Sequence, residues 1–232
     1  MKLPPPFHPW PRTPAAARKL QAELAPRVRI APLERWPRWI AGLDAAFSTD
    51  GSQIFGGVVL WDLQTRTVVE AHSVKRQVRF PYVPGLLSFR EVPVLLAALR
   101  RLRRTPDLLL CDGQGLAHPR RFGLACHLGV LCDLPSIGCA KSRLCGQAEP
   151  PPPQRGAFTE LKEDGQTIGA VLRTQTGIKP VYVSVGHRCD LNDAIAVVLA
   201  CAFRYRLPEP TRLADQEVAQ ARRRDPNCVR AS

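Results

Sequence analysis

Methionine occurs once and tyrosine three times in the 232 residues, and no Cys-x-x-Cys pair occurs at all. The eight cysteines are scattered through apolar segments of a chain far larger than a disulfide-stapled domain, so no disulfide framework is expected. Cys126, Cys132, Cys139 and Cys145 are regularly spaced, with His127 adjacent. Structural zinc takes two close-spaced ligand pairs, which are missing, and reduced, buried thiols are the better reading. The longest apolar run, Ala194 to Phe203, falls short of the about 20 residues that a membrane span requires. The first residues, MKLPPPFHPWPR, contain no apolar signal-peptide core. A reduced cytoplasmic protein, monomeric and without membrane contact, is the expectation.

Acids are scarce as well: 20 Asp and Glu stand against 33 Lys and Arg, a formal net charge of +13. An excess of this size attracts polyanions at long range and binds them with release of counterions, so nucleic acid is the first partner to consider. Charge alone leaves a generically soluble basic protein equally open.

What is present reads as one α/β domain over residues 1–232, with a flexible Pro-rich start (1–12) and a flexible basic tail (217–232). Thr13 is placed to cap a helix from Pro14 to Leu24. Three strand-like segments follow, Trp39 to Ser48, Ile54 to Leu63 and Arg66 to Val78, joined by short turns that suit an antiparallel meander. Phe80 to Leu87 is a Pro/Gly-rigidified loop, and Ser88 is placed to cap a helix from Phe89 to Arg103. Short strands at Leu108 to Asp112, Ser136 to Ala140, Ile168 to Leu172 and Val181 to Val185 alternate with a helix at Phe122 to Leu131. Glu149 to Gly156, with four successive prolines, is a loop. Asp190 or Asn192 opens a helix to about Tyr205, and a last helix begins near Thr211. This order matches a ribonuclease H-like mixed sheet flanked by helices, an analogy at the level of fold.

Asp44 lies within the apolar strand Ala-Gly-Leu-Asp-Ala-Ala-Phe, where an unpaired carboxylate would cost several kcal/mol. Either an ion pair or a metal must compensate it. Asp112 ends a second buried-type strand and precedes a glycine, at the carboxyl edge where sheets commonly carry function. If the two strands are neighbours, both carboxylates can share a cation; magnesium suits such hard oxygens and keeps several waters. Glu91 and Asp215, each near a helix start, could complete the cluster, and the chemistry would be metal-assisted phosphodiester hydrolysis. Lys141, just past its strand, is a candidate to neutralise phosphate charge, although a solvated lysine is the commoner case. His118 and His187 sit beside arginines, and for each a structural role is at least as plausible as a phosphate contact.

Several stretches together resemble the endonuclease V family of deoxyinosine-directed nucleases. They are Gly42 to Asp44, Pro81 to Glu91, Asp112 to Gly115, His118 to Ala125, Lys141 to Gly146, Val183 to Arg188 and Tyr205 to Asp215, in that order. The resemblance implies cleavage of the second phosphodiester bond 3′ to a deaminated purine, leaving 3′-hydroxyl and 5′-phosphate ends, with Mg2+ or Mn2+. It places Asp44, Glu91 and Asp112 on the catalytic acids, which would be the metal ligands. Asp215 falls on a position where members carry Asp or His. Pro81, Tyr82, Val83 and Pro84 fall on a base-separating wedge, with Val83 in place of the usual isoleucine. Gly85, Gly113 and Gly123 fall on the base pocket, with His118 nearby. A proline-bracketed loop loses little entropy when it inserts a ring between bases, and everting a base costs a few kcal/mol.

The implied partner is DNA carrying deoxyinosine, double- or single-stranded. Rival readings are a ribonuclease H-like nuclease acting on inosine-containing RNA or branched DNA, and a binding module without catalysis. Acids at all four positions argue against the last, since a binding module gains nothing from negative charge beside phosphates.

Overall fold

A computed structural model describes residues 8–225 together with Met1 and Pro4. Among these residues the α-helices are α1 (Pro14–Leu24), α2 (Ser88–Leu99), α3 (Leu124–Cys132), α4 (Leu191–Cys201) and α5 (Glu209–Arg224). The strands are β1 (Trp39–Phe47), β2 (Gln53–Asp62), β3 (Thr67–Gln77), β4 (Leu108–Cys111), β5 (Ser136–Ala140), β6 (Phe158–Glu163), β7 (Gln166–Leu172) and β8 (Val181–His187). They form one mixed sheet in the order β3-β2-β1-β4-β5-β8-β7-β6. β1 runs antiparallel to β2 and parallel to β4, which is in turn parallel to β5. This is the ribonuclease H-like α/β fold that the sequence led us to expect.

Side-chain alternation along the strands builds the two layers. On β1, Ala41 and Leu43 join the core under α2 and α3, whereas Ile40 joins the core under α4. Gly42 and Asp44 share the face of Ile40, and there α5 lies across the sheet. A Cβ at Gly42 would stand 2.1 Å from the backbone of Pro210, and one at Gly57, paired with Asp44, would stand 2.6 Å from Val218. The absence of two side chains thus lets α5 settle onto β1 and β2.

Several boundaries differ from the sequence reading, each for a tertiary reason. Ser88 is the first helical residue of α2 rather than its cap, and its hydroxyl pairs with His127 Nδ1 at 3.2 Å. α2 stops at Leu99 instead of Arg103, because Glu70 captures the amides of Arg103 and Arg104 at 3.0 and 3.2 Å. α4 stops at Cys201 rather than near Tyr205, as Gln175 takes the carbonyl of Ala202 and Phe203 turns onto Trp61. Asp190, not Asn192, caps α4, accepting from Asp193 N at 2.8 Å. α5 begins two residues ahead of Thr211 and runs to Arg224, so residues 217–224 are helix rather than basic tail; residues 226–232 lie outside the described set. In the Pro-rich start, His8 is buried and Trp10 packs on the core. β6 went unread, since in FTELKE only Leu161 is buried. The free cysteines of the described chain include 126, 132, 139 and 145, which join four separate apolar clusters. No helix among the described residues is long and apolar enough to cross a membrane.

Gly42→Ala should force α5 off the sheet and cost on the order of 2 kcal/mol or more, the range for overpacking a tight site. Urea denaturation reads this directly. An unchanged midpoint would mean that α5 does not rest on β1.

Candidate active site

Asp44 and Asp112 come together through the parallel pairing of β1 and β4, in which Leu43 stands beside Cys111. The pairing extends one step past β4, where the Asp112 amide donates to the Leu43 carbonyl at 3.0 Å. Asp44 is 9% exposed, and its strand partner is the bare backbone of Gly57. Glu91, in the first turn of α2, is 8% exposed. Lys141 follows β5 and reaches across to Asp112, with Nζ to Oδ2 at 2.6 Å. Asp215, exposed on the second turn of α5, stands near enough to act on Asp44. Five residues from five elements therefore converge at one end of the sheet, as the sequence had suggested.

Their electrostatics are those of a crowded anionic site. Burial, then Asp112 and Asp215, push the Asp44 carboxyl up to about 7, against opposing help from Lys141 and the Ala45 amide. Burial, then Asp44 and Asp112, push Glu91 up to about 8, with Arg90 opposing. Lys141 is raised: burial works against its charge, but Asp112, Asp44 and Asp215 outweigh it. The Lys141 ammonium thus serves three carboxylates and Arg90 opposes the fourth, so the site stays short of positive charge, an imbalance that a divalent cation would relieve. Among the described residues no three of these side chains close around a cation as they stand, and Asp112 is engaged by Lys141. The donor set nonetheless fits a hard cation: it is all oxygen, in excess over its counter-charge, and held around the paired strands β1 and β4. Asp44, Asp112 and Glu91 are the residues that would hold it, once Asp112 exchanges its lysine for the ion.

The loop between β3 and α2 carries Pro81, Tyr82, Val83 and Pro84. Tyr82 is 69% exposed, and the Arg90 guanidinium lies 5.8 Å from its ring and 4.2 Å from that of Phe47. Val83 packs inward against a small core of Phe80, Leu86, Phe89 and Ala17. The loop is pinned behind its tip at Gly85, whose φ of +75° suits glycine. The Gly85 carbonyl accepts from Gln21 Nε2 at 3.2 Å, His118 Nε2 at 3.1 Å and Arg120 Nη2 at 2.6 Å. His118 Nδ1 accepts from the Arg120 amide at 3.1 Å, so the ring is neutral with its proton on Nε2. Burial, and then Arg120, hold its pKa down to about 4, which matches that assignment. Nε2 is thus committed to the loop and Nδ1 to the Arg120 backbone.

The other sequence-selected residues divide. Gly113 follows Asp112 directly, and the nearest atom to a Cβ there would be Leu124 Cδ2 at 3.2 Å. The space beside Gly123 is filled by the backbone of Gln114 and Gly115, at 2.3 and 2.8 Å, so this glycine seats α3 against the Asp112 loop. His187 lies at the opposite end of the sheet, where Arg29 N and Asp133 occupy its ring nitrogens. Three supporting residues escaped the sequence reading. Gln114 Nε2 bonds the Ser142 carbonyl at 3.0 Å, and Arg206 Nη2 bonds the Lys141 carbonyl at 2.9 Å, so the lysine is held from both sides. Gln21 is the third; 64 residues separate it from Gly85, and no local signal could reveal the contact.

The raised acids make a pH prediction. In the metal-free folded chain, Asp44 and Glu91 keep protons between about 4 and about 8 that the unfolded chain has released. Their contribution is therefore full at low pH and is lost as pH rises through that window. Asp44→Asn should become more stable relative to the parent over the same interval, by on the order of a few kcal/mol. Urea midpoints in EDTA test this, and a difference that does not move with pH would remove the raised Asp44 carboxyl, with its burial and its repulsion, from the account.

Comparisons with known proteins identify the family. The family model described as Endonuclease V matches residues 22–216. Endonuclease V of Roseiflexus castenholzii is 52% identical over 215 residues, covering 93% of this chain and 96% of that one. The crystal structure of Endonuclease V from Streptomyces avermitilis is 46% identical with a TM-score of 0.88, covering 91% and 94% of the two chains. The Bacillus subtilis structure, 30% identical, superimposes with a TM-score of 0.91 over 96% of this chain and 98% of that chain. A protein from Ciona intestinalis shares the fold at 24% identity and a TM-score of 0.77, covering 89% and 96%; its structure contains a 24mer DNA with an inosine. The chain belongs to the endonuclease V family.

Proposed function

We propose that this single domain is a Mg2+-dependent endodeoxyribonuclease for deoxyinosine lesions. It hydrolyses the second phosphodiester bond 3′ to the lesion and leaves 3′-hydroxyl and 5′-phosphate ends. The observation that carries this reading is the coupled carboxylate set beside an exposed, proline-bracketed aromatic tip. A bound divalent ion supplies activation of water and screening of the phosphate. Asp44, Asp112 and Glu91 would hold that ion, and relief of their crowding would favour its binding. Lys141, released from Asp112, faces the scissile phosphate and offsets charge that develops there. Asp215 extends the anionic site from the α5 side.

Tyr82 fills the gap left when the base turns out. Pro81 and Pro84 stiffen the tip, and the bonds to the Gly85 carbonyl keep the loop from yielding as the ring enters the stack. Hypoxanthine lacks the exocyclic amines of adenine and guanine, so backbone groups around Gly85 and Gly113 can select it by shape and hydrogen bonding. Gly123 acts behind them by seating α3. His118 acts through the loop it holds.

A labelled duplex with one deoxyinosine should be cut with Mg2+ and spared with EDTA. No cut in the metal lane rejects the reading, and equal cutting of undamaged duplex points to a nuclease of other preference. Asp44→Ala should lower cutting by about 10³-fold or more, the scale of several kcal/mol of lost charge stabilisation, while lesion binding stays measurable. Tyr82→Ala should narrow the gap between lesion and undamaged DNA; unchanged selectivity would refute the wedge.

A further inference from the structure

On the α2 side of the sheet, next to the wedge loop, a groove of about 980 Å³ runs between β3, α2 and the segment Pro9 to Arg12. Arg12, Arg76, Arg79, Arg90 and Arg100 line it together with Lys75, and among the described residues no acidic one does. Lys75 is paired with Asp225, and Arg90 acts on the neighbouring Glu91; Arg12, Arg76, Arg79 and Arg100 form no salt bridge among the described residues. Arg12, Arg76, Arg79 and Arg100 are exposed. Elsewhere on the surface the signs are mixed: the cleft at Arg143 and Lys162 also contains Glu149 and Glu160. A set of four arginines without a salt bridge, along a concave surface, is a place where a polyanion releases counterions.

Its position says which part of a polyanion fits. β3 and β1 are both antiparallel to β2, so Arg76 and Arg79 stand at the end of the sheet that presents Asp44. From β1 the catalytic groups step away towards β4 and β5, while the groove lies on the β3 side. The loop bearing Tyr82 joins β3 to α2 at the groove's rim. Arg90 and Arg100 bracket α2, ~15 Å apart at ~1.5 Å per residue, which spans about four nucleotides of one strand.

We propose that this groove is a backbone-binding site: it holds the sugar–phosphate chain on the flank of the lesion remote from the cut, so that the wedge works against a fixed strand. The inference rests on the nuclease reading. It assigns Arg76, Arg79, Arg100 and Arg12 to phosphate contact without base readout, since guanidinium groups on exposed side chains track charge rather than sequence.

The test uses the full chain in EDTA and a fluorescent duplex carrying deoxyinosine, with binding measured across salt concentration. Arg79→Gln/Arg100→Gln should reduce the slope of log affinity against log salt by about 2, one per lost phosphate contact. Arg35→Gln/Arg66→Gln removes the same charge at the far end of the sheet and should leave the slope unchanged. Equal slopes for the groove variant and the parent overturn the proposal, as does an equal loss in the control pair, which would make the effect one of net charge. Shortening the flank remote from the cut should weaken the parent and leave the groove variant unaffected; sensitivity to the other flank alone also overturns it. If the parent fails to cut at deoxyinosine, the nuclease reading falls, while slopes on undamaged duplex still decide whether the groove binds backbone.

Discussion

Mutual repulsion among buried carboxylates is the constraint around which this molecule is arranged. Asp44 and Glu91 are held in the folded chain at a cost that burial and neighbouring charge impose together, and Lys141 offsets only part of it. No packing advantage explains such a cluster, since a hydrophobic replacement would be more stable in isolation. The parallel pairing of β1 and β4 enforces it: one added hydrogen bond, from the Asp112 amide to the Leu43 carbonyl, sets Asp112, just past the end of β4, beside Asp44 within β1. The site is thus a local loss of stability carried by the core around it, and in the proposed function a cation offsets that loss.

Two supports keep this arrangement from relaxing. Gly42 and Gly57 remove the side chains that would hold α5 away, and α5 brings Asp215 towards Asp44. On the other side, the Gly85 carbonyl gathers donors from α1 and from the segment before α3. A buried neutral histidine and an arginine there fix the base of a loop whose tip stays exposed. Stiffness behind the tip and exposure at it are what insertion between stacked bases requires.

Much of the fold could be read from pattern. β1, β5 and α1 came out as expected because each rests on local chemistry: an apolar run, a short buried strand, a Thr-Pro start; at α4 the structure chose Asp190 over Asn192 as the cap. The misses share a cause. Ser88 was read as a cap because its neighbours look like a capping box, but His127, distant in sequence, takes its hydroxyl. α2 ends where Glu70 captures two amides, and α4 where Gln175 and Trp61 do comparable work. β6 carries only one buried residue, so alternation had little to show. In the site, His187 and His118 had equal local claims, and only their partners across the fold separate them.

By itself, the sequence determined that the chain is basic and α/β, that acids interrupt two apolar strands, and that a rigid aromatic loop precedes Glu91. These follow from residue type and spacing, which act over a few residues. Only the tertiary structure decided that five charged groups share one end of the sheet, that His118 serves the loop, and that Gly123 seats a helix. It also decided that four arginines without a salt bridge line a groove beside the Tyr82 loop. Charge interactions and steric room depend on distance in space, and only the folded sheet sets those distances.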